Sequence, residues 1–216
     1  MQQILVCADS LSWGLIPGTR ERLAFRDRWP GVLGHELLRR GQEVRVIEDC
    51  LNGRRTVWDD PFKPGRNGLD GLEQRIEINS PLALVILFLG TNDFQTTHHV
   101  NAWQSAQGIG SLVAAVRRAP IEPGMPTPKV LSIAPPPIQI AKGAIAPKFQ
   151  DAETKAVGLS AAIRDVAVDS QCEFFDAGEV TTTSSIDGVH LDKDQHQVLG
   201  STLAPRVAAI LTGSGI

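Results

Sequence analysis

The sequence predicts an α/β fold built on a five-stranded parallel sheet. Short apolar runs rich in β-branched residues alternate with helix-like segments, which is typical of successive βαβ units. One run, residues 82–89, has no polar alternation, as expected for a strand buried on both faces at the centre of a sheet. Short polar motifs follow the apolar runs, and loops at the carboxyl ends of parallel strands gather around one crevice.

The predicted strands are short apolar runs bounded by turn residues or polar motifs. They span residues 3–7, 43–48, 82–89, 130–134 and 173–175. In the second strand Val44 and Val46 alternate with polar residues. The fourth strand is ended by the prolines at 135–137, which cannot donate to a ladder. The strand order that is common in such folds is 2-1-3-4-5, in which strands one and three are neighbours.

The predicted helices carry apolar residues at helical spacing. They span residues 29–40, 69–78, 102–118, 151–170 and 193–211. Pro30 suits the first turn of the first helix and Gly41 suits its end, while Pro81 prevents continuation of the second. The fourth is predicted as one continuous helix with Val157 on its apolar side. Pro205 lies inside the last helix, where a kink or a break is expected.

We expect one domain over residues 1–216, because no repeat, low-complexity stretch or linker divides the chain. Two long irregular stretches, residues 51–68 and 138–150, exceed what simple connections need. Loops of that length in a compact domain are often functional or interfacial.

Composition argues against several classes of function. The net charge is −3 with 21 Lys and Arg residues, so no basic surplus is available for nucleic acid or an anionic membrane. No apolar run is long enough to span a membrane, and no secretory pattern precedes the first strand. Cys7, Cys50 and Cys172 lack metal or redox spacing. Free thiols predict a cytoplasmic protein, unless an export signal has been removed.

Ser10 is the candidate nucleophile. It follows the first predicted strand in the motif Ala8-Asp9-Ser10-Leu11, so its hydroxyl is expected at the rim of the sheet. The alternative is that Asp9 or Ser10 only caps a helical turn.

His190 is the candidate base, and Asp187 is its candidate partner, in the motif Asp187-Gly188-Val189-His190. Imidazole titrates near neutral pH, and a carboxylate can accept from its second ring nitrogen and stabilise the imidazolium. The alternative is an Asp-Gly turn beside an exposed histidine. The four other histidines are weaker candidates because they lie in a polar segment or on predicted helices.

Asn92 and Gly53 are candidate oxyanion donors. A side-chain amide and a backbone N–H can be aimed at the oxygen that gains charge in a tetrahedral intermediate. Asn92 lies in Gly90-Thr91-Asn92-Asp93 after the third predicted strand, and Gly53 lies in Asn52-Gly53-Arg54 after the second. Without a Cβ, Gly53 permits close approach of its backbone. The alternative for the Asn92 motif is a turn that ends a strand.

Together the four motifs supply a nucleophile, an acid–base pair and two electrophilic donors, which predicts acyl transfer. In the order 2-1-3-4-5, Ser10 and Asn92 end neighbouring strands and meet where the strand order reverses. The combination therefore favours a single site over four unrelated turns.

With their flanks, the motifs resemble the SGNH (GDSL-type) hydrolase superfamily, in its arylesterase/acyltransferase branch. The resemblance runs from about residue 4 to about residue 211. The blocks that carry it are Asp9-Ser10-Leu11-Ser12-Trp13-Gly14, Asn52-Gly53-Arg54-Arg55-Thr56 with Asp59-Asp60-Pro61, Leu89-Gly90-Thr91-Asn92-Asp93, Ala134-Pro135-Pro136-Pro137, Phe175-Asp176-Ala177-Gly178 and Asp187-Gly188-Val189-His190.

The resemblance implies a flavodoxin-like three-layer α/β/α fold and a triad of Ser10, His190 and Asp187. It also implies oxyanion donors at the backbone N–H of Ser10, a backbone N–H at Gly53 and the side chain of Asn92. Neither a metal nor another cofactor is expected.

Two positions depart from the family pattern. Ala8 stands where a glycine usually precedes Asp-Ser, which is a small change unless that backbone needs a positive φ. Efficient acyltransferases of the family carry a second tryptophan near the nucleophile, whereas this chain has Trp13-Gly14-Leu15. A preference for transfer over hydrolysis therefore does not follow from the resemblance.

The predicted function is that of a serine esterase acting on small-molecule, short-chain aryl or alkyl esters through an acyl-enzyme on Ser10. The resemblance and the two long loops also predict a symmetric homo-oligomer, with an octamer as the candidate form. Large apolar residues near the motifs are candidates for the substrate pocket, with core packing as the alternative. They are Trp13, Leu15, Phe94, Ile138 and Phe149.

Three alternative functions stay open on the sequence. With an alcohol or hydrogen peroxide as acceptor, the same chemistry would make an acyltransferase or perhydrolase. A non-catalytic carbohydrate-binding relative could retain the fold, although the intact polar set argues against it. A nucleotide-binding α/β protein is disfavoured because the chain has neither G-x-G-x-x-G after its first strand nor a Walker A sequence.

Overall fold

A parallel sheet forms the centre of the protein, seen here in a computed structural model that describes residues 1–213. The last three residues of the predicted domain, 214–216, lie outside the described residues. The strands are β1 (Gln2–Ala8), β2 (Val44–Cys50), β3 (Leu84–Phe88), β4 (Lys129–Ala134) and β5 (Glu173–Asp176). They lie in the order β2-β1-β3-β4-β5, and every pair is parallel. The predicted sheet and its strand order are confirmed.

Helices lie on both sides of this sheet. The helices are α1 (Ser10–Trp13), α2 (Trp29–Arg39), α3 (Leu72–Asn79), α4 (Ala102–Arg118), α5 (Ala152–Lys155), α6 (Leu159–Asp169) and α7 (Lys193–Thr212). The helix predicted at 102–118 matches α4 at both ends, and α2 and α7 differ from their predictions by one residue at one end. Asn101 caps α4 through a full capping box with Gln104.

Two apolar clusters separate the three layers. Successive residues of β1 point to opposite faces, so Ile4 and Val6 pack with α2 and α7, whereas Leu5 and Cys7 pack with α3, α4 and α6. The central strand β3 is buried at every residue, as its uninterrupted apolar sequence predicts. The fold is therefore the expected three-layer α/β/α arrangement.

The prediction of a single helix at 151–170 is wrong, because the chain forms two helices, α5 and α6, with a turn between them. Gly158 caps the start of α6 with φ 86°, a left-handed conformation that ends the helical path before it. Val157 lies in this turn and is 74% exposed, so it is not part of an apolar helix face. Its hydrophobicity suggested a longer helix than the backbone makes.

The break expected at Pro205 does not occur, since α7 runs without interruption from Lys193 to Thr212. Leu203, Ala204 and Val207 on either side of the proline are fully buried against the sheet. This packing compensates for the one backbone hydrogen bond that the proline removes.

The two long irregular stretches both lie at the carboxyl edge of the sheet. Residues 51–68 contain no helix or strand, and their ends are held together by Arg55 N–H to Arg66 C=O at 2.8 Å and Gly68 N–H to Arg55 C=O at 3.1 Å. Residues 138–150 include a short 3₁₀ turn, Gly143–Lys148. Among the helices of residues 1–213, none is long and apolar enough to cross a membrane.

Candidate active site

The first polar motif turns directly from β1 into α1. Asp9 is the N-cap of α1, and its Oδ1 accepts from the N–H of Leu11 at 2.9 Å. Ser10 is the first helical residue, lies at the edge of the sheet and is 6% exposed. The cap predicted as an alternative therefore exists on Asp9, and the hydroxyl of Ser10 stays available for another partner. Ala8 ends β1 without a positive φ, so the alanine fits where the family usually has glycine.

The partner of Ser10 is His190. Its Nε2 lies 3.1 Å from Ser10 Oγ, and its Nδ1 lies 2.7 Å from Asp187 Oδ2. The other carboxylate oxygen of Asp187 accepts from the backbone N–H groups of Val189 and His190, both at 2.9 Å. The three side chains form the arrangement of nucleophile, base and orienting carboxylate that activates a serine hydroxyl. The structure therefore joins the first and last motifs across 180 residues.

The protonation of this group follows from the surroundings of Asp187. Burial by itself raises the pKa of the carboxyl, but the hydrogen bond and charge of His190 and the two backbone donors outweigh it and lower the pKa to about 2. An ionised Asp187 can only accept, so Nδ1 of His190 carries a hydrogen. Nε2 is then left to accept from the hydroxyl of Ser10.

Residues 139–142 hold the loop that carries Asp187 and His190. The N–H of Gln139 donates to Gly188 C=O at 2.9 Å, and the N–H of Lys142 donates to Asp187 C=O at 3.0 Å. Gly188 has φ 79°, and a Cβ on it would lie 2.5 Å from the carbonyl oxygen of Ile140. This contact was not predicted from the sequence, because a backbone pairing between two irregular segments leaves no pattern in the residues.

The second motif forms a tight turn beside β1. The N–H of Leu51 donates to Ala8 C=O at 3.0 Å, and the N–H of Arg54 closes the turn onto Leu51 C=O at 2.9 Å. The buried guanidinium of Arg54 donates to Ala8 C=O at 3.3 Å and to Asp49 Oδ1 at 2.9 Å. These bonds attach the turn to Ala8, which lies two residues before Ser10 in the chain.

Gly53 occupies a left-handed position in this turn, which is a reason for glycine besides the predicted close approach of its backbone to a substrate. Its φ is 82°, and a Cβ placed on it would have Arg66 Cγ as its nearest neighbour, at 3.9 Å. The left-handed backbone therefore requires glycine, whereas within residues 1–213 nothing approaches closely enough to exclude a Cβ.

The third motif brings Asn92 beside the first, as the strand order predicts. Asn92 Nδ2 donates to Asp9 Oδ2 at 2.8 Å, and Asn92 Oδ1 accepts from Gln95 Nε2 at 2.6 Å. Asn92 is 3% exposed and lies in a 3₁₀ turn, Thr91–Phe94, so the predicted turn is also present. Within residues 1–213, the N–H groups of Ser10 and Gly53 donate to no acceptor.

Asp93 joins the second motif to the third and was not singled out from the sequence. Its carboxylate accepts from Thr56 N–H at 2.9 Å, from Thr56 Oγ1 at 2.7 Å and from Ser105 Oγ on α4 at 2.6 Å. Burial raises the pKa of Asp93 to about 6 in spite of these bonds. Its place at the end of the Gly90-Thr91-Asn92-Asp93 motif was the one sequence signal for this role.

The predicted pocket residues divide into two groups. Phe94 has no exposed surface and packs in the apolar cluster between the sheet and α4, to which Ile138 and Phe149 also belong. The prediction that Phe94 lines a pocket is therefore wrong. Ile138 in addition lines a cavity of about 390 Å³ beside the prolines at 135–137. Trp13 and Leu15 are partly exposed next to Ser10, and the guanidinium of Arg22 lies 4.7 Å from the Trp13 ring centroid.

A groove of about 960 Å³ lies elsewhere on the surface, against α2, β2 and the start of α7. Its lining includes none of the four motifs. A substrate bound there would therefore contact none of the candidate site residues.

A parallel three-layer α/β fold with a serine, histidine and aspartate at the carboxyl edge of its sheet defines an α/β serine hydrolase. More particularly, the chain belongs to the GDSL-like Lipase/Acylhydrolase family, whose model matches residues 9–198. This confirms the resemblance found in the sequence.

Several known proteins that are similar to this chain are esterases, as expected for a member of this family. The inhibitor-bound aryl esterase of M. smegmatis superposes with a TM-score of 0.92 at 34% identity, covering 97% of this chain and 100% of that one. A carbohydrate acetylesterase family member from Sinorhizobium meliloti has a TM-score of 0.92 at 35% identity, covering 98% and 100%. An arylesterase of Vibrio mimicus is 34% identical over 92 residues, which are 43% of this chain and 38% of that relative. The chain is accordingly a serine carboxylic-ester hydrolase, and its substrate is a small molecule.

Proposed function

We propose that the protein hydrolyses short-chain carboxylic esters through an acyl-enzyme on Ser10. The observation that carries this proposal is the buried hydrogen-bond chain from Ser10 Oγ to His190 at 3.1 Å and from His190 to Asp187 at 2.7 Å. A serine hydroxyl acquires nucleophilic strength only when a neighbouring base takes its proton, and Nε2 of His190 is in place to do so.

In the first half of the reaction, Ser10 Oγ attacks the ester carbonyl carbon while His190 Nε2 takes the hydroxyl proton. The ionised Asp187 stabilises the imidazolium that forms. His190 then donates this proton to the departing alkoxide, and the C–O bond breaks to leave the acyl group on Ser10. In the second half, water attacks the acyl carbon while His190 Nε2 takes a proton from it. The bond between the acyl carbon and Ser10 Oγ then breaks, His190 returns the proton to Oγ, and the carboxylic acid leaves.

Three donors are proposed to hold the negative oxygen of both tetrahedral intermediates: Ser10 N–H, Gly53 N–H and the Asn92 side chain. The two backbone groups support this role because neither donates to another acceptor within residues 1–213. Asn92 Nδ2 carries two hydrogens, and Asp9 uses one of them. Such preorganised donors lower the barrier because the charge they bind appears only during the reaction.

Short acyl groups are the proposed substrates. Two structural relatives are an aryl esterase and a carbohydrate acetylesterase, which supports a preference for acetyl and similar esters. We assign Trp13 and Leu15 to the substrate pocket, because both are partly exposed beside the nucleophile. A series of p-nitrophenyl esters should show kcat/KM falling as the acyl chain lengthens, and a preference for long chains would refute the assignment.

Covalent labelling tests the nucleophile. A fluorophosphonate should attach to Ser10 in a one-to-one ratio, and Ser10→Ala should abolish both labelling and ester hydrolysis while the protein stays folded. Ser12→Ala is the matched control, because Ser12 is also buried in α1 but its Oγ accepts from Trp29 Nε1 at 2.9 Å. That variant should still be labelled. An adduct found on Ser12 or Ser132 would show that Ser10 is not the nucleophile.

We further propose a homo-oligomer formed through the long loops. Phe62 and Ile140 lie in these loops and are 81% and 69% exposed, a large apolar exposure for two loop positions. Multi-angle light scattering should give several times the mass of one chain, up to an octamer, and a monomer mass at micromolar concentration would contradict this.

The remaining proposals concern the setting of the enzyme. We propose that residues 1–216 form one domain, since a single sheet organises residues 2–176 and α7 packs on it.

A cytoplasmic location is supported by Cys7, Cys50 and Cys172, which are all free thiols. The proposed steps use no metal, so EDTA should leave the rate unchanged, and loss of activity reversed by a divalent ion would refute them.

A further inference from the structure

We propose that Gln95 is a positioning residue that, together with Arg55, sets the direction of the Asn92 side-chain amide. This inference rests on the proposed role of Asn92 as an oxyanion donor. It concerns what makes that donor point towards the reacting carbonyl and not away from it.

The observation is a chain of hydrogen bonds between buried side chains. Arg55 Nη2 donates to Gln95 Oε1 at 3.1 Å, Gln95 Nε2 donates to Asn92 Oδ1 at 2.6 Å, and Asn92 Nδ2 donates to Asp9 Oδ2 at 2.8 Å. All four residues are at most 3% exposed. Each member therefore takes its partners in the chain mainly from neighbouring side chains and not from bulk water.

The two ends of the chain decide the direction of both amides. A guanidinium only donates, so the end of Gln95 that faces Arg55 must be its oxygen, and its NH₂ then faces Asn92. At pH 7 and above the Asp9 carboxylate is mainly ionised and accepts, so the end of Asn92 that faces Asp9 is its NH₂. Rotating the Asn92 amide by half a turn would place oxygen against the Asp9 carboxylate and NH₂ against the NH₂ of Gln95, and both bonds would be lost.

The direction matters because Nδ2 has a second hydrogen, the one proposed to bind the oxyanion, while the first is held by Asp9, the residue before Ser10. In the observed direction this hydrogen is available to a developing oxyanion, whereas a rotated amide would present its oxygen to the same negative charge. The guanidinium charge also polarises the chain, which strengthens each donor along it.

Arg55 is suited to anchor the chain because it is itself fixed. It has no exposed surface, it donates to Thr97 Oγ1, and it lies 3.5 Å from the Asp60 carboxylate. Replacing Arg55 would remove the guanidinium from beside the buried Asp60 carboxylate, so a loss of activity in that variant could reflect a loss of folding and not of positioning. Gln95 is therefore the residue to change.

Gln95→Glu is the diagnostic substitution. A carboxylate of nearly the same size keeps an acceptor for Arg55 but cannot donate to Asn92 Oδ1. We expect kcat for p-nitrophenyl acetate to fall about 10- to 100-fold, somewhat less than for loss of a complete oxyanion donor, with KM within about twofold of wild type. The thermal midpoint should stay within a few degrees. Gln107→Glu, which adds the same charge at an exposed position of α4, should leave kcat unchanged.

A double-mutant cycle shows whether Gln95 acts through Asn92. Once Asn92→Ala has removed the amide, adding Gln95→Glu should lower kcat no further. A full additional loss in the double variant, or a wild-type kcat in Gln95→Glu alone, would overturn the positioning role. If Asn92→Ala itself keeps a wild-type kcat, it is the proposed oxyanion role of Asn92 that fails.

Gln95→Met decides the question should Gln95→Glu not fold. Methionine keeps the side-chain volume of Gln95 and removes the N–H that donates to Asn92, without adding charge. We therefore expect kcat to fall about 3- to 10-fold, which is less than in Gln95→Glu and less than the loss of a whole oxyanion donor. An unchanged kcat in folded Gln95→Met would overturn the proposal.

Discussion

Two hydrogen-bond chains lie at the candidate site, one ending on Ser10 and the other on Asp9, the residue before it, and they are built in opposite ways. The acid–base chain of Asp187 and His190 comes from one loop, in which the residues are three positions apart and the backbone of the same loop also binds the carboxylate. The chain proposed to position the oxyanion donor takes Asp9 from just after β1, Arg55 from just after the second motif, and Asn92 and Gln95 from the segment after β3. A local chain can be recognised in a motif, whereas a distributed one exists only after folding.

The carboxylates of the two chains also differ in electrostatics. The pKa of Asp187 falls to about 2, because donors and the His190 charge outweigh its burial. The pKa of Asp9 rises to about 6, because its burial outweighs the neutral donors Leu11 N–H and Asn92 and the charges nearby. The carboxylate that the proposed reaction needs in its charged form is thus the one that holds its charge more strongly.

The largest expected effect concerns the local chain. Asp187→Asn should lower kcat by about 10⁴-fold, because an amide at this position favours the wrong tautomer of His190. Initial rates on p-nitrophenyl acetate measure it, and Asp194→Asn, an exposed change in the first turn of α7, serves as the control. A loss below tenfold would show that Asp187 only shapes its turn.

A smaller effect is expected in the distributed chain. Asn92→Ala should lower kcat by about 10²–10³-fold, or roughly 2.7–4 kcal/mol, since one donor of three is removed. KM should stay nearly constant, because the bond strengthens mainly as charge develops. If thermal stability falls while kcat per folded molecule holds, Asn92 is a turn residue alone and the two chains do not share the chemistry.

The smallest effect concerns stability, and its sign separates the two carboxylates. Between pH of about 4 and 6 the folded protein holds a proton on Asp9 that the unfolded chain has released, so this group makes folding less favourable as pH rises. Asp9→Asn should therefore gain about 2–3 kcal/mol relative to wild type between pH 4 and pH 7. Urea unfolding at several pH values measures the difference.

Asp187 should give the opposite sign in the same experiment. Its lowered pKa adds stability above the unfolded value of 3.8, and that stability is lost as pH falls towards 2. Asp187→Asn should therefore lose stability relative to wild type at pH 7 and approach it in acid. If the stability of Asp9→Asn and Asp187→Asn, each relative to wild type, changed with pH in the same direction, the two carboxylates would not differ in electrostatics as proposed.

The sequence alone determined the elements and the chemistry that are local. The strands, the buried centre at β3 and the helices with clear apolar spacing follow from periodicity, because burial on one or two faces imposes a pattern on neighbouring residues. The family blocks around Ser10, Asn92 and His190 could be recognised because each one is a short local motif, two of them directly after a strand and the third in a loop with its own turn. Their common edge followed from the strand order, since parallel strands end on the same side.

Only the tertiary structure decided what depends on contacts between distant segments. Burial of Leu203 and Val207 carries α7 through Pro205, the backbone of 139–142 holds the His190 loop, and Gln95 meets both Arg55 and Asn92. None of these has a periodicity or a spacing to detect. A buried amide acquires its direction from whichever donors and acceptors surround it, and the fold alone brings those groups together.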